Sequence, residues 1–200
     1  MAIKFQFNKT ALQELNKQLA VRERALPTIK NKETALRVEV KKARDAAQQL
    51  EKDLLAKTTE YEKAVELWGE FDPSLVSIRD VQLTVKKIAG VKTPVLENID
   101  FEIGKFSLFN QPSWILDGIH ILKELASIGI EREVYLRKMH LLDFARRKTT
   151  QKVNLYEKVQ IPGYQDAIRK IKRFMEDEEN LSKSAQKILK NRQQNTGEAV

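Results

Sequence analysis

The chain has 200 residues, 42% of them hydrophobic but only 7% aromatic, with 7 Gly, 5 Pro and a net charge of +8. That length and apolar content suit one domain or one elongated unit, and a charged fraction of 32% fits long exposed helices better than a sheet-rich globule. The absence of cysteine excludes disulfides and thiolate metal sites, and no apolar run approaches the ~20 residues of a membrane-spanning helix.

The opening "MAIKFQFNKTALQEL" lacks the apolar core and cleavage site of a signal peptide, so a soluble, cytoplasmic chain is expected. The basic balance suits an acidic protein surface, lipid headgroups or nucleic acid as a partner. From Leu12, alternating steps of three and four pass through Leu15, Leu19, Arg22, Leu26, Ile29, Glu33, Leu36, Val40, Ala43, Ala47, Leu50, Leu54, Lys57, Tyr61, Ala64 and Trp68. Only Arg22, Glu33 and Lys57 break this apolar seam, which predicts a coiled-coil arm within 1–70. A helix from about 10 to 70 would be roughly 90 Å long. Pro27 either bends it locally or ends a short first helix near Leu26.

"GEFDPSL" at 69–75 supplies Gly69, Asp72 and Pro73 and should stop the arm. An insert follows over 71–112. Within it Val81, Leu83 and Val85, then Ile99, Phe101 and Ile103, alternate with polar residues, as strands do. Ala89, Gly90 and Pro94 offer turn chemistry between them, which predicts a β-hairpin over roughly 76–104. A hairpin alone is marginal in water, so this one should lean on the helices or on a partner.

The second arm is expected over 113–191, opened by "NQPSWILDGI" with Pro112 in a first helical turn and Asp117 near the positive helix end. Ile115, Ile119, Leu122 and Ala126 begin a seam, and Met139, Leu142, Val153 and Tyr156 continue one position earlier. Gly118 and Gly129 each weaken a helix, which leaves open a break near 129. Beyond Pro162, Tyr164, Ile168, Ile171 and Met175 form a clean stripe, displaced by one position from Val153 and Tyr156. Either one helix bends at Pro162 and slips its register, or two helices meet there. The stripe resumes at Tyr164 without a polar linker, which favours the kinked continuous helix. A polar tail, 192–200, closes the chain. The fold class expected is therefore all-α dominated: an elongated antiparallel two-helix coiled-coil hairpin with a small β-hairpin insert between its arms.

Catalytic signals are thin. "GKFS" at 104–107 lacks the first glycine and the spacing of a phosphate loop. His120 and His140 have no zinc-ligand or nucleophile pattern around them, and Asp117 and Glu124 beside His120 read as ordinary helix-surface pairing. Basic clusters at Arg146, Arg147 and Lys148, at Arg169, Lys170, Lys172 and Arg173, and at Lys183, Lys187 and Lys190 could follow phosphates. Interleaved acids, above all "EDEE" at 176–179, and the lack of stacking aromatics favour a solvated helix face or docking to an acidic protein. No catalytic, cofactor-binding or metal residue is expected.

Four stretches in order resemble the D subunit of the V-type (vacuolar or archaeal-type) rotary ATPases. "NKTALQELNKQL" carries Thr10, Leu12, Leu15 and Leu19 of the family's opening, with Asn8 where that family has proline. "LPTIKNKETAL" carries Lys30, Lys32 and Leu36, and "KIAGVKTPVLE" carries Gly90, Val91 and Pro94 of the insert. "QKVNLYEKVQIPGYQDAIRKI" is the most specific, through Val153, Asn154, Leu155, Glu157, Ile161 and Pro162. The resemblance covers most of the chain and implies a helix continuing through Pro162.

It also implies a job: a non-catalytic central rotor stalk whose two termini enter the hexamer of catalytic and regulatory subunits. The other end, with the central-stalk F subunit, would meet the adaptor on the membrane ring, so that torque couples ATP chemistry to ion transport. The resemblance implies a place in the soluble, membrane-peripheral sector, with no membrane insertion and no nucleic acid. Two other classes suit a helical hairpin: a coiled-coil scaffold or chaperone-like adaptor, and a nucleic-acid-binding coiled coil.

Overall fold

The computed structural model of the chain describes residues 3–61, 71–105 and 114–197. The seam positions Ala64 and Trp68, the stop at Gly69, Pro112 and the last two residues of "GKFS" lie outside them. Helix α1 spans Lys9–Tyr61, strands β1 and β2 span Val76–Ile88 and Val91–Ile103, and helix α2 spans Ile115–Asn154. A π-helical turn, Leu155–Gln160, then leads directly into helix α3, Ile161–Gly197. The chain is thus helix-dominated, with one two-stranded antiparallel sheet between its long helices.

Asn8 starts α1: its carboxamide oxygen accepts the Ala11 N–H at 2.6 Å, and its carbonyl accepts the Leu12 N–H at 3.1 Å. A side-chain acceptor at this position satisfies a donor that the first turn leaves free. The helix is unbroken through Pro27, whose ring is exposed, so the lost bond to the Glu23 carbonyl lies on the hydrated side. α2 is likewise unbroken through Gly129. The final helix runs past residue 191, where its apolar stripe has long ended, to Gly197.

Packing divides the chain into two compact units, Met1–Asn31 with Thr149–Val200 and Lys32–Lys148. In the first, Leu15 of α1 packs with Tyr164, Ala167, Ile168 and Ile171 of α3, flanked by Leu12, Leu19 and Met175. Arg22 bonds Gln160 at 2.9 Å and Lys30 pairs with Glu157 at 2.8 Å. Partners thus fall in number along α3 and the π turn as they rise along α1, so the helices are antiparallel here. The residues ahead of Asn8 close this layer: Ile3 and Phe5 pack on it, and Phe7 lies against Phe174 with ring centroids 4.8 Å apart.

In the second unit, Leu36 and Val40 of α1 and Leu142 of α2 are buried together, and Leu36 and Leu142 are fully shielded from solvent. Arg132 pairs with Glu51 at 3.1 Å, and Lys57 pairs with Glu124, so α1 and α2 are antiparallel in this unit as well. Phe71 and Leu75 form a further layer with Ile115 and Ile119.

The hairpin leans on these helices. Ile88 and Val91, the residues flanking its turn, pack on the Leu36–Val40–Leu142 layer. Farther along β2, Pro94, Val95 and Leu96 face Glu131, Val134, Tyr135 and Lys138 of α2, and the Lys123 ammonium stands 5.8 Å from the Phe101 ring. Ala89 and Gly90 make the two-residue turn with φ of 48° and 81°, as the natural twist of a tight hairpin requires. Pro94 is not part of the turn. It pairs with Val85 inside the ladder, where a two-stranded sheet leaves each strand a free edge that tolerates proline. Pairing skips Arg79 on β1 and Glu97 on β2, and these bulges keep Val81 opposite Ile99 and Leu83 opposite Leu96.

Candidate functional site

The residues singled out by sequence divide into packed and presented groups. Leu15 and Leu36 are buried, and Leu12, Leu19, Val91, Pro94, Val153 and Ile161 are half-buried. Thr10, Lys30, Lys32, Gly90, Asn154, Leu155, Glu157 and Pro162 are exposed. Several meet across the fold. Lys30 and Glu157 form the inter-helix ion pair just described. Lys32 reaches the hairpin turn, where its ammonium stands 3.6 Å from the place a Cβ on Gly90 would take. Thr10 sits in the exposed first turn of α1 and makes none of these contacts.

The polar interruptions of the α1 seam are all occupied. Arg22 donates to Gln160 and lies 4.4 Å over the Tyr164 ring, whose hydroxyl donates to Gln18 at 2.7 Å. Glu33 accepts from Arg37 at 2.9 Å, and Lys57 meets Glu124, which also accepts from the Tyr61 hydroxyl at 3.3 Å. A half-buried charge needs such a partner, and each supplies orientation as well as charge balance. Gln18 and Gln160 escaped the sequence reading because neither stands on the seam. Ile3 and Phe5 left a signal, period-two apolar residues directly ahead of a helix cap.

The turn at Leu155–Gln160 departs from the α-helical pattern on either side of it. Ile161 N–H donates to the Tyr156 carbonyl, five residues back rather than four. Such a turn holds one residue more than an α-helical turn, which accounts for the one-position slip between Tyr156 and Tyr164. None of its residues is buried; Leu155 and Val159 are 41% and 39% exposed. Directly after it, Ile3 fits against Gly163, where a Cβ would stand 3.2 Å from the Ile3 Cδ1.

Half of the basic-cluster side chains meet partners within their own helices. Asp143 accepts from Arg146 at 2.9 Å and from Arg147 at 2.7 Å, and these guanidiniums, Arg146 foremost, hold its carboxyl below the usual range. Lys148 lies 4.4 Å over Phe144, Arg169 approaches Asp166 at 3.5 Å, and Lys183 pairs with Glu179 at 2.7 Å. His120 and His140 are both exposed. Among the described residues no group of three His, Cys, Asp or Glu could hold a metal, and no helix is long and apolar enough to cross a membrane. What this chain presents is surface: Phe144, Leu155 and Val159, and then Leu181, Ile188 and Leu189 on an α3 end whose residues 176–193 are all exposed.

The sequence matches the family described as the ATP synthase D subunit over residues 11–191. The D subunit of the V-type ATP synthase of Borreliella burgdorferi is 30% identical over 196 residues, 94% of each chain. The protein of that description in Chlamydia caviae is 29% identical over 88% of each chain. That of Chlamydia muridarum is 31% identical over 76% of this chain and 77% of its own. With long helices on either side of a hairpin and a match over nearly its whole length, the chain belongs to the ATP synthase D-subunit family.

Proposed function

We propose that the chain is the central rotor stalk subunit of a V-type rotary ATPase or ATP synthase. It transmits torque between ATP hydrolysis or synthesis in a hexamer of catalytic and regulatory subunits and ion transport across the membrane. Its partners are those hexamer subunits, the central-stalk F subunit and the adaptor of the membrane ring. It works in the soluble sector on the cytoplasmic face, peripheral to the membrane, and supplies no catalytic group.

One observation carries this reading beyond family membership. Residues 176–193 of α3 are all exposed among the described residues, yet Leu181, Ile188 and Leu189 keep apolar side chains there, 72%, 55% and 58% exposed. Isolated helices need a packed face to persist in water, so such a segment suits a sleeve supplied by other subunits. Charges interleaved along it, Glu179 with Lys183 among them, keep that contact lubricated rather than locked.

The absence of cysteine makes the test direct. Leu181→Cys is introduced, and the chain is assembled with its hexamer subunits, one carrying a facing cysteine. Oxidation should stop steady-state ATP hydrolysis, and reduction should restore it. Full hydrolysis by a cross-linked complex, or failure of the wild-type chain to co-purify with the hexamer, would refute the rotor role.

A further inference from the structure

Leu142 and Tyr164 both face α1 in their own layers, yet they stand 22 residues apart, one more than three heptads. On α1 the opposing positions Leu15 and Leu36 are 21 residues apart, three heptads without remainder. The second strand of the pair therefore carries one residue too many, and the π turn at Leu155–Gln160 is where it is held. Little pins it there. No residue from 143 to 163 is buried, nor any from 16 to 35 on α1. The turn is held by polar contacts, the exposed pair of Lys30 with Glu157 and the half-buried bond of Arg22 with Gln160.

We propose that this turn is a movable one-residue insertion, confined between Leu142 and Tyr164, through which the helix pair takes up twist. Moving it by one residue exchanges one five-back backbone hydrogen bond for a four-back bond, with no net loss of bonds. Each step turns the residues it passes by about 100° around the helix axis. Passing exposed or half-buried residues costs little. Passing a buried one is barred, because it would swing a core side chain into water. Tyr164, Ala167, Ile168 and Ile171 set the far limit, reinforced by Ile3 seated on Gly163, and Leu142 sets the near one.

The test removes the extra residue. Lys158 is exposed in the middle of the turn, and its deletion leaves Leu142 and Tyr164 three heptads apart on an uninterrupted α-helix. The full-length chain without Lys158 should keep its helical circular dichroism and melt no lower than wild type. Deleting the exposed Arg24 from α1 creates a mismatch instead, and should lower the melting temperature clearly. Equal damage from the two deletions would overturn the proposal.

Hydrogen exchange of the wild-type chain supplies the second measurement. Amides of 155–163 should exchange about tenfold or more faster than those of 164–171, and deletion of Lys158 should erase most of that difference. Uniform exchange across 150–171 in wild type would also overturn it.

The third measurement rests on the rotor reading. The complex lacking Lys158 should hydrolyse ATP yet move fewer ions per ATP, and unchanged coupling would remove the turn from the mechanism. Should wild type itself fail to assemble with the ATPase subunits, the rotor reading falls, while melting and exchange still decide the insertion.

Discussion

The edge of the Phe71 ring lies 2.9 Å from where a Cβ on Gly118 would stand. Glycine in the first turn of α2 therefore lets Phe71 close the layer that holds Leu75, Ile115 and Ile119. Gly129, in the same helix, has nothing within 4 Å of that place. Two identical substitutions should then have opposite signs. Gly129→Ala gains about 1 kcal/mol from helix propensity alone. Gly118→Ala gains less than that at a helix start and loses about 1–3 kcal/mol by overpacking against an aromatic ring. Urea denaturation of the two variants should place wild type between them.

Ala89 holds a φ of 48° at the first position of the hairpin turn, a conformation that costs an ordinary L-residue about 1–2 kcal/mol. Ala89→Asn should stabilise the chain by up to ~1 kcal/mol, because asparagine adopts this region more readily. Gly90→Ala should do the reverse, since φ there is 81°. Because Ile88 and Val91 pack on Leu36 and Leu142, both effects should appear in the melting temperature of the whole chain. Shifts of one sign for both variants would mean that the turn is not the strained element.

Periodicity is local information, and what it governs was legible. Every α1 seam position from Leu12 to Tyr61 is buried or half-buried, and Val81 pairs with Ile99 in the ladder, but the strand alternation does not mark a buried face, since Leu83, Val85 and Ile103 are exposed. What escaped needed long-range contacts or backbone pairing. The one-position slip before Tyr164 was visible as spacing, but a kink, a loop and a π turn all produce it. Only the Ile161-to-Tyr156 hydrogen bond decides among them. Pro94 looked like turn chemistry because proline often is, yet the two φ > 0 residues alone make the turn. Among the site residues, the pairing of Lys30 with Glu157 joins positions 127 apart in sequence, and no spacing rule reaches that far.

Asp143 gives a pH-dependent prediction. Hydrogen bonds from Arg146 first, then Arg147, lower its carboxyl pKa in the folded chain below the roughly 3.9 of an unfolded one. A depressed pKa means stability that is fully present above the unfolded value and lost as pH falls through the folded one. Asp143→Asn should therefore cost about 0.5–1 kcal/mol at pH 7, the modest size reflecting an Arg147 that is 72% exposed. The gap between variant and wild type should narrow below about pH 4 and close further down. Parallel melting curves at pH 7 and pH 3 measure it, and an equal gap at both would assign the loss to packing.

Pro162→Ala tests how the proline sits in its helix. In a regular helix interior the substitution restores a bond to the Lys158 carbonyl and removes a ring clash, a gain of about 3 kcal/mol. Here the ring directly follows a π turn, whose wider path should ease the crowding that a proline ring meets in a regular α-helix. The ring is also exposed, and losing proline gives the unfolded chain about 0.4–1 kcal/mol of extra entropy. The net gain expected is therefore small, about 0–1.5 kcal/mol. The extra residue between Leu142 and Tyr164 remains in this variant, so the π turn should remain too, with the Ile161 amide still donating to the Tyr156 carbonyl. A gain near 3 kcal/mol would show a ring strained against Lys158, and a straightened, slip-free helix would make the proline rather than the added residue the cause of the turn.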